Sequence, residues 1–272
     1  MPFPVNVEFE VRQMKLISNV SMMFCKLPLV ERLKAAQDAG FDGVEIQFPE
    51  SQAIAPLKEA SSALEMPIEL INVPRGPGES VGLAALPAEK VAYRAAVEIC
   101  AKQAATLNVR KINVLSGRPP EGVPHADCLA MLKANLTYTA EVMANIDVQV
   151  MVEAVNRHDV PGFFLSGLDE ALALLEELNC PNIALQFDLY HMAITEPDLP
   201  AAIRRAGPRI GHVQFADTPG RHEPGTGEID FAAAFTALHD IGYHGAVSAE
   251  YRPQHSTCDG LQWMIDFKRM MA

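Results

Sequence analysis

Four polar side chains, Glu153, Asp188, Gln214 and Glu250, each stand in or at the end of a separate apolar run: VQVMVEAVN (148–156), IALQFDLYHM (183–192), IGHVQFAD (210–217) and AVSAEYRP (246–253). Runs of this kind suit strands of a sheet buried on both faces, where an unpaired carboxylate is costly and a cation is its natural partner. Subtracting residue numbers puts the four 35, 26 and 36 residues apart, about one strand plus one helix each time. In a single parallel barrel that spacing brings all four side chains to the same end. The pattern points to a divalent cation held by Glu153, Asp188, Gln214 and Glu250, and so to a mononuclear metal enzyme. Any one of them alone would serve as well in a buried hydrogen bond or a loop-end ion pair; recurrence at the same place in four runs favours the metal.

The elements needed to position them can be followed along the chain. Strand-like runs at 15–19, 44–49, 68–74 and 111–117 bring the total to eight with the four above. Helical patterns lie between them at 29–39, 52–64, 87–107, 125–145, 167–178, 198–206 and 230–241, with a last one near 259–271. Eight strand–helix units predict an α/β chain folded as a (β/α)8, or TIM, barrel, with a single domain over 14–272. Residues 1–13 carry no helical period and read as an extension, with Met14 as an alternative start. Punctuation agrees with this parsing. Pro87 stands at a first helical position, Ser166 and Asp169 have the spacing of a capping pair, and Gly40 and Gly242 follow helices as stops. A short repeat, Asp38-x-Gly40-Phe41-x-Gly43 and Asp240-x-Gly242-Tyr243-x-Gly245, marks helix, tight turn and strand twice.

Composition narrows the functions. The chain has 272 residues, 49% hydrophobic, with 22 Lys and Arg against 34 Asp and Glu and a formal charge of −12. That balance disfavours a partner with a phosphate backbone, which calls for a basic face. Neither a membrane-spanning run nor a signal peptide is visible, so no membrane partner and a cytoplasmic location are expected. The five cysteines, Cys25, Cys100, Cys128, Cys180 and Cys258, are scattered without a C-x-x-C pair and read as small core or helix-face residues.

Three long segments follow strand ends on the side where barrels of this kind keep their chemistry: 72–87, rich in Gly and Pro as a cover loop would be, 156–165 and 217–231. The last carries Arg221, His222 and Glu223. Arg221 is the first candidate to hold an anionic substrate, since a guanidinium grips a carboxylate through two parallel hydrogen bonds; Arg75 and Arg118 are its substitutes. Asn72, His191 and His222 complete the candidate substrate contacts. His191 serves either there or in orienting a metal-bound carboxylate. His222 and Glu223 read equally as a solvated loop pair or a subunit contact. Glu45 reads as structural, paired with a base such as Lys15 at the barrel floor, and His212 as a hydrogen-bonded core group below Gln214. Met22, Met23 and Met192 read as packing residues.

The motifs VEAVN (152–156), DVPGFFL (159–165), QFDLYH (186–191), HVQFAD (212–217), RHEPGTGEIDF (221–231) and AEYRP (249–253) together resemble the hydroxypyruvate isomerase family of the xylose isomerase-like barrels. That group also includes 2-oxo-tetronate isomerases and, more distantly, ketose 3-epimerases. The resemblance runs from about residue 15 onward. It implies a divalent ion, Mg2+ or Mn2+, on Glu153, Asp188, Gln214 and Glu250, with the two glutamates also handling protons. Gln214 replaces the histidine of the ketose epimerases, which moves the reading toward the hydroxypyruvate isomerase branch.

Interconverting a hydroxyketone and a 2-hydroxyaldehyde needs a base, an acid and a group to hold negative oxygen. Glu153 and Glu250 beside a hard cation supply all three, acting on a small hydroxy or oxo acid such as hydroxypyruvate. An apurinic-site endonuclease would want extra histidines near Gln47, Pro49, Asn72 and Pro74, and a basic face. A non-catalytic metal or sugar-acid binder would not need the complete acid, base and metal set. Superfamily relatives suggest a homo-oligomer.

Overall fold

The computed structural model describes residues 13–271, so the expected extension over 1–13 lies outside the described residues except for Gln13. Strands β1 (Lys15–Asn19), β2 (Gly43–Ile46), β3 (Ile68–Asn72), β4 (Lys111–Val114), β5 (Gln149–Glu153), β6 (Ile183–Asp188), β7 (Ile210–Phe215) and β8 (Ala246–Ala249) follow in chain order. Each pairs parallel with the next, and β1 closes on β8 with Lys15 opposite Ala246. The connections carry α1 (Glu31–Asp38), α2 (Ile54–Ala63), α3 (Lys90–Leu107), α4 (His125–Ala144), α5 (Leu168–Leu178), α6 (Leu189–Thr195), α7 (Leu199–Ala206) and α8 (Phe231–Asp240), and α9 (Met264–Met270) follows β8. This is the expected (β/α)8 barrel. Among the described residues no helix is long and apolar enough to cross a membrane.

Alternation along each strand divides core from site. On β7, Phe215 turns outward onto Phe231 of α8 and Phe267 of α9, with ring centroids 6.0 and 4.9 Å away. Burying such a ring stabilises the fold by about 1.5–3 kcal/mol. The intervening His212 and Gln214 turn inward. Inside the barrel a small apolar floor of Leu70, Met151 and Ala184 stands apart from the main core, and polar side chains lie above it. Met23 and Met192 are buried in the main core, as packing residues should be.

The repeat seen in the sequence is a repeated helix stop. Phe41 N–H donates to Ala36 O and Gly40 N–H to Gln37 O; Tyr243 N–H donates to Leu238 O and Gly242 N–H to His239 O. Gly40 and Gly242 have φ of 89° and 71°, the left-handed turn that such a stop requires. Phe41 and Tyr243 are then buried and launch β2 and β8.

Pro87 stands at the first helical position, as expected, and opens a short 3-10 turn, Pro87–Glu89, that runs into α3 at Lys90. Two expectations are corrected. Ser166 does not cap α5: Gly167 holds the cap position without a side-chain bond, and the Ser166 N–H donates to Glu170 Oε2 at 3.3 Å. The sixth strand does not run on through residue 192. It stops at Asp188, whose carboxylate accepts the Tyr190 N–H at 2.9 Å and so caps α6. Composition does not separate a short apolar helix from a strand continuation.

Candidate active site

Asn72 ends β3, Glu153 ends β5, Asp188 ends β6 and Glu250 follows β8, all at the end of the barrel that holds a cavity of about 210 Å³. Glu153, His191, Arg221 and Glu250 line it, with Asn72 and Arg75 from the β3 end; Phe48, Val160 and Phe163 supply apolar wall. The β6 ending matters here. Asp188 closes the strand and His191 lies one turn into α6, so both face the same space, with His191 Nε2 3.5 Å from Asp188 Oδ2 and 3.8 Å from Glu153 Oε1.

Three carboxylates are held in the same manner. Glu153 Oε2 accepts from Asn113 Nδ2 at 2.7 Å and Gln186 Nε2 at 2.9 Å. Asp188 Oδ1 accepts the capping N–H of Tyr190. Glu250 Oε1 accepts from Asn19 Nδ2 and Gln47 Nε2, both at 2.8 Å. Each group therefore has one oxygen fixed by protein donors and a second, Glu153 Oε1, Asp188 Oδ2 or Glu250 Oε2, left for another partner. Arg221 Nη2 meets two of these, Asp188 Oδ2 at 3.3 Å and Glu250 Oε2 at 2.5 Å.

So many buried acids cannot all ionise easily. Burial pushes the Glu153 carboxyl well above the ordinary carboxylate range, and the charges of Glu250 and Asp188 add to the shift. Glu250 is pushed up to about 7 by burial, with Arg221 pulling the other way. Burial pulls His191 down to about 4, leaving a neutral imidazole. Glu153, Asp188 and His191 bring ligand atoms within 4.8 Å of one another, a buried set able to hold a metal ion. The oxygen-rich donors, each already oriented by an N–H, fit a hard divalent cation.

Gln214 sits beside this set in a fixed orientation. Its Nε2 donates to Glu45 Oε1 at 2.6 Å, and its Oε1 accepts from Gln186 Nε2 at 2.7 Å. Glu45 is the hub beneath it. The carboxylate also accepts from Asn19 Nδ2 at 2.7 Å and meets His212 Nε2 at 2.8 Å. Burial opposes the Glu45 charge, yet the donors from His212, Gln214 and Asn19 win and hold its pKa below the ordinary value. Burial also lowers His212, a neutral donor here and a core group as expected. The expected Glu45–Lys15 pair is absent: Lys15 is exposed and bridges Glu69 at 3.1 Å, while Glu45 turns into the barrel.

The loop 217–231 is built around Asp217. Its Oδ2 accepts from Gly225 and Gly227 N–H at 2.8 and 2.9 Å, and its Oδ1 from Thr218 and Ile229 N–H at 2.9 and 3.1 Å. A Cβ on Gly227 would fall 2.3 Å from Thr218 O, so only glycine allows this wrap. The loop carries Arg221 with φ of 57°, an uncommon left-handed backbone, and ties it to the β8 end through Arg252 N–H to Arg221 O at 2.8 Å.

The sequence candidates thus divide. Glu153, Asp188, Gln214, Glu250, His191, Arg221 and Asn72 gather at one end of the barrel. His222 lies outside the cavity lining, its Nδ1 against the Arg252 carbonyl at 2.7 Å, because the turn that presents Arg221 carries the next side chain away. Glu223 is buried and accepts the Gln254 N–H at 3.0 Å, binding loop to loop. Arg118 borders a neighbouring cleft with Glu79 and Glu89. Sequence reasoning missed Asn19, Gln47, Asn113, Asn156 and Gln186 as working parts. The signal was present, since they too are polar residues in or just after apolar strand runs.

The xylose isomerase-like TIM barrel description matches residues 33–267. The chain belongs to this family. Among curated relatives of this xylose isomerase-like barrel, the hydroxypyruvate isomerase of Escherichia coli (strain K12) is 36% identical over 254 residues, 92% of this chain and 98% of that protein. The 2-oxo-tetronate isomerase of Cupriavidus necator is 35% identical over 250 residues, 91% of this chain and 96% of that one. These relatives place the barrel among the isomerases. A solved structure from Brucella melitensis, described as an AP endonuclease of family 2, superposes with a TM-score of 0.89 at 34% identity, covering 93% of this chain and 99% of that one.

Proposed function

We propose that the chain is a divalent-metal-dependent isomerase of small oxo acids, interconverting hydroxypyruvate and tartronate semialdehyde. The observation that carries this reading is the pair Glu153 and Glu250: two buried carboxyls, both with raised proton affinity, facing one cavity from different strands beside further oxygen donors. The hydroxypyruvate isomerase relative supplies the substrate.

A carboxyl with a pKa near neutrality can both take and return a proton at physiological pH. One glutamate removes a proton from C3 of hydroxypyruvate. The other returns one to C2, and the hydrogen of the C3 hydroxyl ends on the C2 oxygen, so the net change is a shift of two hydrogens. The Nε2–H of neutral His191 and the unpartnered, buried Nε–H of Arg221 are donors for the oxygens that become negative on the way. When bound on Glu153, Asp188, Gln214 and Glu250, Mg2+ or Mn2+ supplies positive charge against those same oxygens.

The near-equal identity to a 2-oxo-tetronate isomerase makes the four-carbon acid the second reading. An endonuclease is disfavoured by Gln47 and Asn72, which line the cavity where histidines would be wanted, and by the net charge of −12.

Proton NMR in D2O of metal-stripped protein given hydroxypyruvate, with and without Mg2+ or Mn2+, tests the proposal. Tartronate semialdehyde should appear only with metal, and Glu153→Gln and Glu250→Gln should each lose roughly 10²–10⁴-fold in rate. Turnover undiminished by a chelator would sink the metal. Silence with hydroxypyruvate but turnover of a 2-oxo-tetronate would move the assignment to four carbons.

A further inference from the structure

Two guanidinium groups line the cavity, and their electrostatic surroundings differ. Arg221 is engaged at the bottom, between Asp188 and Glu250, where it offsets acids of the site itself. Arg75 begins the segment after β3 and is exposed at the rim. Its side chain forms no hydrogen bond or ion pair with any described residue, and its guanidinium carbon lies 5.3 Å from the Phe48 ring centroid. A guanidinium on an aromatic face is held in place while its N–H edges stay unshared. It is thus a positioned cation with its full donor set available.

At the floor Arg221 is already engaged by two carboxylates, whereas the Arg75 guanidinium at the rim has no acidic partner among the described residues. An oxo acid seated with its carbonyl and hydroxyl carbons toward Glu153 and Glu250 can set its carboxylate against that rim cation. We infer that Arg75 is the residue that binds the substrate carboxylate, making the enzyme selective for oxo acids over uncharged ketoses of the same length. The inference rests on the isomerase reading above and moves the carboxylate contact from Arg221 to Arg75. Arg221 is left to the acids and to the reacting oxygens.

Arg75 is exposed, so its replacement leaves the fold intact, which circular dichroism verifies. Hydroxypyruvate binding by calorimetry and turnover by NMR are compared for wild type, Arg75→Ala and Arg75→Lys, with dihydroxyacetone as the uncharged probe. Arg75→Ala should weaken hydroxypyruvate binding and raise its KM by roughly 10- to 100-fold while kcat stays within about threefold, because a bond made equally in ground and transition state is lost. Arg75→Lys should recover part of the loss. Any conversion of dihydroxyacetone should be unchanged. Unaltered hydroxypyruvate affinity in Arg75→Ala, with turnover intact, overturns the role of Arg75 and leaves the isomerase standing. Arg75-dependent binding without turnover supports the carboxylate contact and removes the isomerase reading. Failure of the wild type to bind hydroxypyruvate overturns both.

Discussion

Asn156 determines which nitrogen of His191 carries the proton. Its Oδ1 accepts the Asp159 N–H at 2.8 Å, which leaves Nδ2 to face His191 Nδ1 at 2.6 Å. An amide nitrogen donates, so Nδ1 accepts, and the neutral ring carries its hydrogen on Nε2, toward Asp188 and Glu153. His191 is in this tautomer a donor to oxygen. Its position beside Glu153 and Asp188 would suit a metal ligand only if Nε2 gave up that hydrogen.

Nitrogen-15 NMR of the histidine rings should therefore show His191 neutral with hydrogen on Nε2 from about pH 5 to 8, as its depressed pKa of about 4 requires. Asn156→Asp replaces the donor by an acceptor and should move the hydrogen to Nδ1. Turnover should then fall by roughly 10-fold or more. A ring still protonated on Nε2 in the variant would refute the assignment.

Stability in chelator should carry the signature of Glu250. Its folded pKa of about 7 lies above the ordinary 4.5, so between those values the native chain holds a proton that the unfolded chain has released. Stability is lost as pH rises through that window. His191, depressed by burial, acts with the opposite sign, but it is common to wild type and Glu250→Gln and cancels in their difference. Glu250→Gln should thus gain on the wild type from pH 5 to 8 by on the order of 3 kcal/mol in urea unfolding. Parallel curves at the two pH values would contradict the raised pKa.

Glu45→Gln should weaken Mg2+ or Mn2+ binding by about tenfold in calorimetry, because Gln214 and Asn19 lose the carboxylate that orients them. A lower Tm with unchanged metal affinity would reduce Glu45 to a packing role.

Asp217→Ala removes an acceptor shared by four backbone N–H groups, so it should cost at least about 2 kcal/mol and release the loop that presents Arg221. Turnover should drop with stability, and faster proteolysis within 217–231 reports the loosened loop. An unchanged Tm would show that water replaces the carboxylate.

Much of this architecture could be read along the chain because its signals are local. Apolar runs of strand length alternate with helical periods, and Gly40 and Gly242 end helices by the same two backbone bonds. Polar residues interrupting buried strands are costly without partners, so Glu153, Asp188, Gln214 and Glu250 announced a shared site before any fold was in view. Where local signals compete, folded geometry chose. Asp188 turned a strand into a helix, which gave His191 its place, and a glycine took the cap that Ser166 had the sequence to fill.

What no local pattern contains is which side chains meet across the barrel. Glu45 lies 167 residues from His212 and 169 from Gln214, and Asn19 reaches Glu250 over 231 residues. Those partners are selected by strand register and by the inward alternation of a closed sheet, not by neighbours in the chain. The types and spacing of the acids were enough to specify a TIM barrel with a polar, cation-seeking end. Closing the barrel decided the rest: Arg221 against two carboxylates, Arg75 on the Phe48 ring without an acidic partner among the described residues, and His222 turned away to a backbone carbonyl. Charge neutralisation is a property of distances in three dimensions, and those distances exist only once the eighth strand has met the first.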